Sequence, residues 1–154
     1  MIPLQGEHIG RVDAKGRFML PVALKNQIGT SLNEGFIVKR SIFNPCLELY
    51  PRSNWNELYK KIMIKMNRFN KKHNDFIRAY NAGLKELEID GTGRVLIPKD
   101  LAVFADITGD ITVNAKMECI EIWDKARYDK VVSETQANFP ELAEEILGDI
   151  NLNE

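Results

Sequence analysis

The stretch GRVDAKGRFMLP, residues 10–21, returns at residues 87–98 as LEIDGTGRVLIP. Both copies carry Asp-x-x-Gly-Arg, then an apolar triplet and a proline. In each, a short strand is expected to reach the aspartate (about 7–13 and 85–90), and the glycine to permit a positive φ in the turn that follows. The next strands are FML (18–20) and VLI (95–97). Proline then falls where a helix begins, a place where its fixed φ and missing N–H do no harm. A shift of 77 lays Asp13, Gly16, Arg17, Pro21 and Leu24 on Asp90, Gly93, Arg94, Pro98 and Leu101. A shift of 73 then lays CLELYPRSNWNEL (46–58) on CIEIWDKARYDKV (119–131), cysteine on cysteine and Glu48 on Glu121. The changed shift makes the first copy four residues longer, around Thr30–Gly35. Two collinear blocks identify an internal duplication.

The rest of each copy follows the same grammar. Helices over LKNQIG and DLAVFADITG are expected to close near Gly29 and Gly109. Strands GFIVKR (35–40) and CLELY (46–50) match DITVN (110–114) and CIEIW (119–123). One copy is a half-barrel whose edges and inner face need a partner. Two copies supply that partner to each other, so the expected fold is α+β and β-rich, a closed barrel with a pseudo-two-fold axis. The expected boundaries are residues 5–53 for the first repeat, 54–84 for a helical insert, 85–126 for the second repeat and 127–154 for a helical extension.

In the insert, Trp55, Leu58, Tyr59, Ile62, Met66, Phe69, Phe76, Ile77, Tyr80 and Leu84 recur at mostly helical spacing and form a core-facing stripe. Asn54, three residues before Glu57, is expected to cap its first helix. Asn70, His73 and Asn74 break the pattern into two helices, and Gly83 ends the second. The opposite face, with Lys60, Lys61, Lys65, Lys71, Lys72 and Arg78, is ordinary solvated surface or a secondary contact to DNA or subunits. Beyond the second repeat, Asp124 caps a helix to about Gln136, and Asn138 and Pro140 start an acidic one.

Net charge is −1, but residues 1–80 hold 14 Lys+Arg against 6 Asp+Glu and residues 81–154 hold 7 against 16. A +8 half and a −9 half suggest one basic and one acidic surface, and a head-to-tail contact between copies. No apolar run reaches the ~18–20 residues of a membrane span. The start, MIPLQGEHIGR, lacks the pattern of a secretory signal. Cys46 and Cys119 fit buried thiols of a reduced cytosolic protein, a disulfide being the alternative.

In the paired turn, the aspartate accepts N–H groups of its own loop. The arginine after the glycine offers a planar fork suited to phosphate oxygens or a guanine edge. An Asp–Arg clamp closing a hairpin is the structural alternative for a single copy. Duplication favours the binding role, because a pseudo-two-fold axis brings both arginines to one side. The candidate DNA contacts are Arg11, Lys15, Arg17 and Arg94, and the loop-shaping residues are Asp13, Gly16, Asp90 and Gly93.

GEHIGRVDAKGRFMLP, IDGTGRVLIP, CIEIW and the intervening helices together resemble the MraZ family, bacterial transcriptional regulators with two SpoVT-AbrB-like half-units in one chain. The resemblance covers about Gln5 to Val132. It implies a swapped-hairpin, double-split β-barrel, ring-shaped homo-oligomers, and binding of double-stranded DNA at direct repeats upstream of the protein's own cell-division and cell-wall operon. It also implies repression there and a cytoplasmic, nucleoid-associated protein. Carried over, the DNA-contacting loop falls on Asp13, Lys15, Gly16 and Arg17, and its second copy on Asp90, Gly93 and Arg94. Thr92 stands where the first turn has Lys15, so the loops are expected to differ in DNA affinity. Asn114 and Ala115 stand where glycine is expected near the last hairpin bend.

A reading of another class is an AbrB-like antitoxin whose acidic tail, FPELAEEILGDINLNE (139–154), holds a partner protein. An enzyme is not expected: His8 and His73 lie in no nucleophile or metal motif, and Leu96 occupies the place of the third glycine in any dinucleotide fingerprint. No cofactor, metal or small-molecule substrate is expected either.

Overall fold

Alternating side chains decide the first layer. In RFM and RVL the central residue, Phe18 or Val95, is buried, while the flanking residues face outward. In the computed structural model, which describes residues 1–150, these triplets are strands β2 (Arg17–Met19) and β6 (Arg94–Leu96). They pair antiparallel as a separate two-stranded ribbon, Arg17 opposite Leu96 and Met19 opposite Arg94. The remaining strands are β1 (Gly6–Arg11), β3 (Phe36–Arg40), β4 (Leu47–Pro51), β5 (Lys85–Leu87), β7 (Asp110–Lys116) and β8 (Cys119–Asp124). They form one six-stranded sheet in the order β1-β7-β8-β4-β3-β5, every pairing antiparallel. The α+β class and the twofold repetition are as expected.

Each repeat sends its first strand to the other. β1 pairs with β7, from Gly6↔Ala115 to Arg11↔Asp110, and β5 pairs with β3, from Phe36↔Leu87 to Val38↔Lys85. The seam is β4 against β8, where Glu48 lies opposite Glu121. Each glutamate has a lysine nearby: Lys39 Nζ is 3.8 Å from Glu48, and Lys116 Nζ is 3.6 Å from Glu121. The expected closed barrel is not formed, because the exchange leaves β1 and β5 at opposite ends of an open sheet. What closes the core is the ribbon together with α1 (Val22–Ile28) and α4 (Lys99–Ala105). Phe18, Leu20, Leu24, Val95, Ile97 and Leu101 pack in one cluster with Leu47, Leu49, Ile111, Val113, Ile120 and Ile122 of the sheet.

Pro21 and Pro98 occupy the residue before α1 and α4, with φ −54° and −57°. α1 gives way at Gly29, and a 3₁₀ turn over Gly29–Glu34 carries the extra length of the first copy. α4 stops earlier than Gly109: Asp106 adopts the left-handed conformation and its N–H donates to the carbonyls of Ala102 and Val103. The bend between β7 and β8 lies at Met117–Glu118 rather than near Asn114. Met117 supplies the positive φ, 55°, that such tight hairpins use, without a glycine.

The insert forms α2 (Arg52–Lys65) and α3 (Lys71–Tyr80). Asn70 caps α3 by accepting from His73 N–H at 3.2 Å, and His73 Nδ1 accepts from Asn67 N–H, which fixes the break. Trp55 and Tyr80 pack with Ile37, Tyr50 and Cys119 on the other side of the sheet. Phe69 is not core. It is 89% exposed, because α2 ends at Lys65 and the helical phase is lost beyond it. Asn54 is not the cap either, since α2 begins at Arg52 after Pro51. It is fully buried instead, accepting from Ile2 N–H (2.7 Å) and donating to the carbonyls of Ile2 (2.8 Å) and Glu118 (3.0 Å).

The chain divides into two compact units, Met1–Asp124 and a second beginning at Lys125. The second contains α5 (Lys125–Gln136) and α6 (Phe139–Leu147), the latter with Pro140 in its first turn. The last four residues of the acidic tail, 151–154, lie outside the described residues. Among the described residues no helix is long and apolar enough to cross a membrane. Cys46 and Cys119 are buried and free.

Asn54→Ala strands one donor and two acceptors, each costing roughly 1–3 kcal/mol if left buried and unpaired. With some recovered by water at the amino terminus, a loss of about 2–3 kcal/mol is expected in urea unfolding. A loss below ~0.5 kcal/mol would show that Asn54 does not hold the amino terminus to the β7–β8 bend.

Candidate nucleic-acid interface

Both turns are built around a carboxylate. Asp13 Oδ1 accepts from the N–H groups of Lys15 and Arg17, both at 2.9 Å, and Asp90 Oδ1 accepts from Thr92 and Arg94 at the same distances. Backbone bonds complete the match. Asp13 N–H donates to Arg17 C=O at 2.8 Å and Gly16 N–H to Asp13 C=O at 3.0 Å; the second turn has 2.9 and 3.0 Å. Gly16 and Gly93 both sit at φ 85°, where a side chain would be strained. Leu20 N–H donates to Gly93 C=O and Ile97 N–H to Gly16 C=O, so each turn is tied to the strand leaving the other.

The second carboxylate oxygen holds the arginine. Arg17 Nε donates to Asp13 Oδ2 at 2.9 Å, and Arg94 Nε to Asp90 Oδ2 at 3.2 Å. Thr92 adds a bond absent from the first turn, its hydroxyl donating to Asp90 Oδ1 and accepting from Arg94 Nε, both at 2.8 Å. Hydrogen bonding from Arg17 N–H, reinforced by the guanidinium and Lys15 N–H, holds Asp13 below the ordinary aspartate value. For Asp90, Arg94 N–H and then the Thr92 hydroxyl push the same way, and the shift is large.

The clamp therefore exists in both copies, and it uses Nε. Among the described residues the terminal nitrogens of each fork have no acceptor, apart from a 3.8 Å approach of Arg94 Nη1 to Asp13 Oδ2, and so are open to one outside the turn. That approach also shows the two turns within side-chain reach of each other. The ribbon register puts Arg17, Met19, Arg94 and Leu96 on one face, opposite the buried Phe18 and Val95, with the arginines on its diagonal. Met19 and Leu96, each 51% exposed, leave that face open between them.

Lys15 lies exposed at the tip of the first turn, and its ammonium forms no ion pair among the described residues. Arg11 is placed differently. It ends β1 at the sheet edge, paired to Asp110 at 2.7 Å, and is not part of the ribbon face. One cation escaped the sequence reading: Lys25 of α1 reaches the second turn, its ammonium against Gly93 and 3.6 Å from Met19 Sδ. Its neighbours in sequence give no sign of this, because only the strand exchange brings α1 to the other repeat's turn. The Lys60–Lys72 face is exposed, with Lys71 and Arg78 both paired to Asp75. Among the described residues no group of three or more His, Cys, Asp or Glu is placed to hold a metal.

Two repeats that exchange strands, and carry one arginine-bearing turn each on a shared ribbon, define an internally duplicated swapped-hairpin protein. A family model described as "MraZ protein, putative antitoxin-like" matches residues 4–79 and 81–150. The chain is 51% identical over 154 residues to "Transcriptional regulator MraZ" of Flavobacterium psychrophilum, covering 100% of this chain and 98% of that protein. It is 48% identical over 148 residues to the protein of that name from Christiangramia forsetii (96% and 95% covered), and 34% over 151 residues to that of Bacteroides thetaiotaomicron (98% and 96%). The chain belongs to the MraZ family.

Carboxyl-carbon NMR titration should place Asp13 and Asp90 below the ordinary aspartate value of 3.8, Asp90 further because it alone accepts the Thr92 hydroxyl. Folded values lowered in this way add stability that is present above the ordinary value and is lost as pH falls through the lowered ones. Midpoints at or above 3.8 would contradict the clamp.

Proposed function

We propose that this protein is a sequence-specific, DNA-binding transcriptional regulator. The observation that carries the reading is the ribbon face bearing Arg17 and Arg94 together, each held by its own aspartate with terminal nitrogens to spare. A two-stranded ribbon is one of the shapes the DNA major groove admits, and arginine forks suit both phosphate oxygens and the O6/N7 edge of guanine. The names of its relatives, transcriptional regulators, agree with it. We read residues 5–53 and 85–126 as the two DNA-facing repeats, residues 54–84 as an insert that buttresses the sheet, and 127–154 as an extension. No catalytic step, cofactor or metal belongs to this reading.

In its finer form the protein represses its own cell-division and cell-wall operon, from the cytoplasm and at the nucleoid, by binding promoter direct repeats as a ring homo-oligomer. One ribbon offers few cations and binds in the ~10⁻⁴–10⁻⁶ M range of non-specific contacts at physiological salt. Linking several ribbons raises avidity by roughly 10²–10⁴, and repeated subunits suit repeated sites. A second reading, a protein partner held by the acidic extension, is favoured by α6. That helix carries Glu141, Glu144 and Glu145 and leaves Leu142, Ile146 and Leu147 exposed.

The test is fluorescence anisotropy with duplex from immediately upstream of the protein's own gene against a scrambled duplex. Arg17→Ala should cost roughly 1–3 kcal/mol per engaged subunit, the worth of one good base contact. Its melting temperature should change little, since half-exposed ion pairs contribute ~0–1 kcal/mol. Equal affinity for both duplexes, or an Arg17→Ala variant that melts much lower while binding normally, would contradict the reading.

A further inference from the structure

Two of the positions at which the copies differ concern lysines beside the paired turns. The shift of 77 sets Lys15 against Thr92 and Lys25 against Ala102. Both lysines thus belong to the first repeat, and a chain of two separate half-units would carry an uneven face. In the folded molecule they part. Lys15 stays at the tip of its own turn, whereas Lys25 crosses to the other one.

The Lys25 side chain lies against Gly93 so closely that a β-carbon there would collide with its ammonium. The atom it is placed to donate to is Met19 Sδ, at 3.6 Å, and a thioether is a weak acceptor. It forms no ion pair among the described residues. The Lys25 ammonium thus rests on a glycine backbone and a sulfur at the surface, one residue from Arg94, where an anion from outside the chain can reach it. A lysine in the last turn of a helix also complements the helix dipole, but that role does not require it to extend over the second turn.

We propose that Lys25 and Arg94 form a phosphodiester-binding subsite at the second turn, the spatial counterpart of Lys15 and Arg17 at the first. The subsite rests on the DNA-binding reading above. It replaces the expectation of a stronger and a weaker loop with two loops of equal charge, one lysine supplied in place and one across the exchanged repeats. Thr92 does not compete for the phosphate, because its hydroxyl is spent inside the turn on Asp90 and Arg94. Gly93 is required for its positive φ, and its missing side chain also leaves the space that the Lys25 ammonium occupies.

The experiment measures binding of the full chain to the upstream duplex across a salt series, with Lys25→Ala, Lys15→Ala, Thr92→Lys and the Lys25→Ala/Thr92→Lys double variant. Each phosphate contact contributes about −0.9 to the slope of log K against log[salt]. Lys25→Ala is expected to flatten the slope by about 0.9 per engaged subunit, as much as Lys15→Ala does. It should weaken upstream and scrambled duplexes by the same factor, and Thr92→Lys should restore the lost slope. An unchanged slope in Lys25→Ala would overturn the subsite. So would a lowered melting temperature with a loss that Thr92→Lys does not rescue, which would make Lys25 a structural residue. If the unmodified chain binds no duplex, the DNA reading itself fails, and the subsite with it.

Discussion

Each turn depends on one carboxylate that performs two tasks with its two oxygens. Oδ1 gathers two backbone N–H groups and fixes the loop, and Oδ2 takes the arginine Nε and fixes the fork. A long side chain at the surface ordinarily surrenders considerable rotamer entropy when it binds. Here much of that freedom is already gone before any ligand arrives, at little energetic gain to the fold because the pair is half exposed. The clamp and the binding role, alternatives in the sequence, are thus compatible: the clamp holds Nε and leaves the terminal nitrogens for the contact proposed above.

Strand exchange turns two such devices into one surface. Each turn leads straight into the ribbon, and the ribbon exists only because β2 and β6 come from different repeats. The same exchange sets β1 beside β7 and β5 beside β3, so neither repeat has a complete sheet without the other. The distance and orientation between the arginines are therefore set by the whole core beneath Phe18 and Val95, not by either loop. A change that loosens this core should disturb the pairing of the arginines before it disturbs either turn.

Much of this was legible in the sequence because it depended on local rules. Glycine after Asp-x-x, proline ahead of a helix and alternating apolar triplets gave the strands and turns to within a few residues, and the two shifts placed the four-residue excess at the Gly29–Glu34 turn. What the sequence hid depended on long-range placement. Asn54 had the spacing of a helix cap, but Pro51 had already begun the helix, and the amide was needed to tie Ile2 to Glu118. Phe69 was in phase with the stripe only if α2 continued beyond Lys65. The closed barrel was the natural completion of two half-barrels, yet exchange left the sheet open and gave closure to the ribbon and helices. Lys25 looked like any helical lysine, since its contact lies 68 positions away in the chain.

In the proposed function both arginine turns meet the same piece of DNA at once. The most direct measurement is a crystal structure of the protein with its upstream duplex. Arg17 and Arg94 of one ribbon are expected within hydrogen-bonding distance of phosphate or base-edge atoms of a single duplex, with both Nε–carboxylate bonds intact. A duplex seated instead on the lysines of α2 and α3, or touched by only one of the two turns, would contradict it.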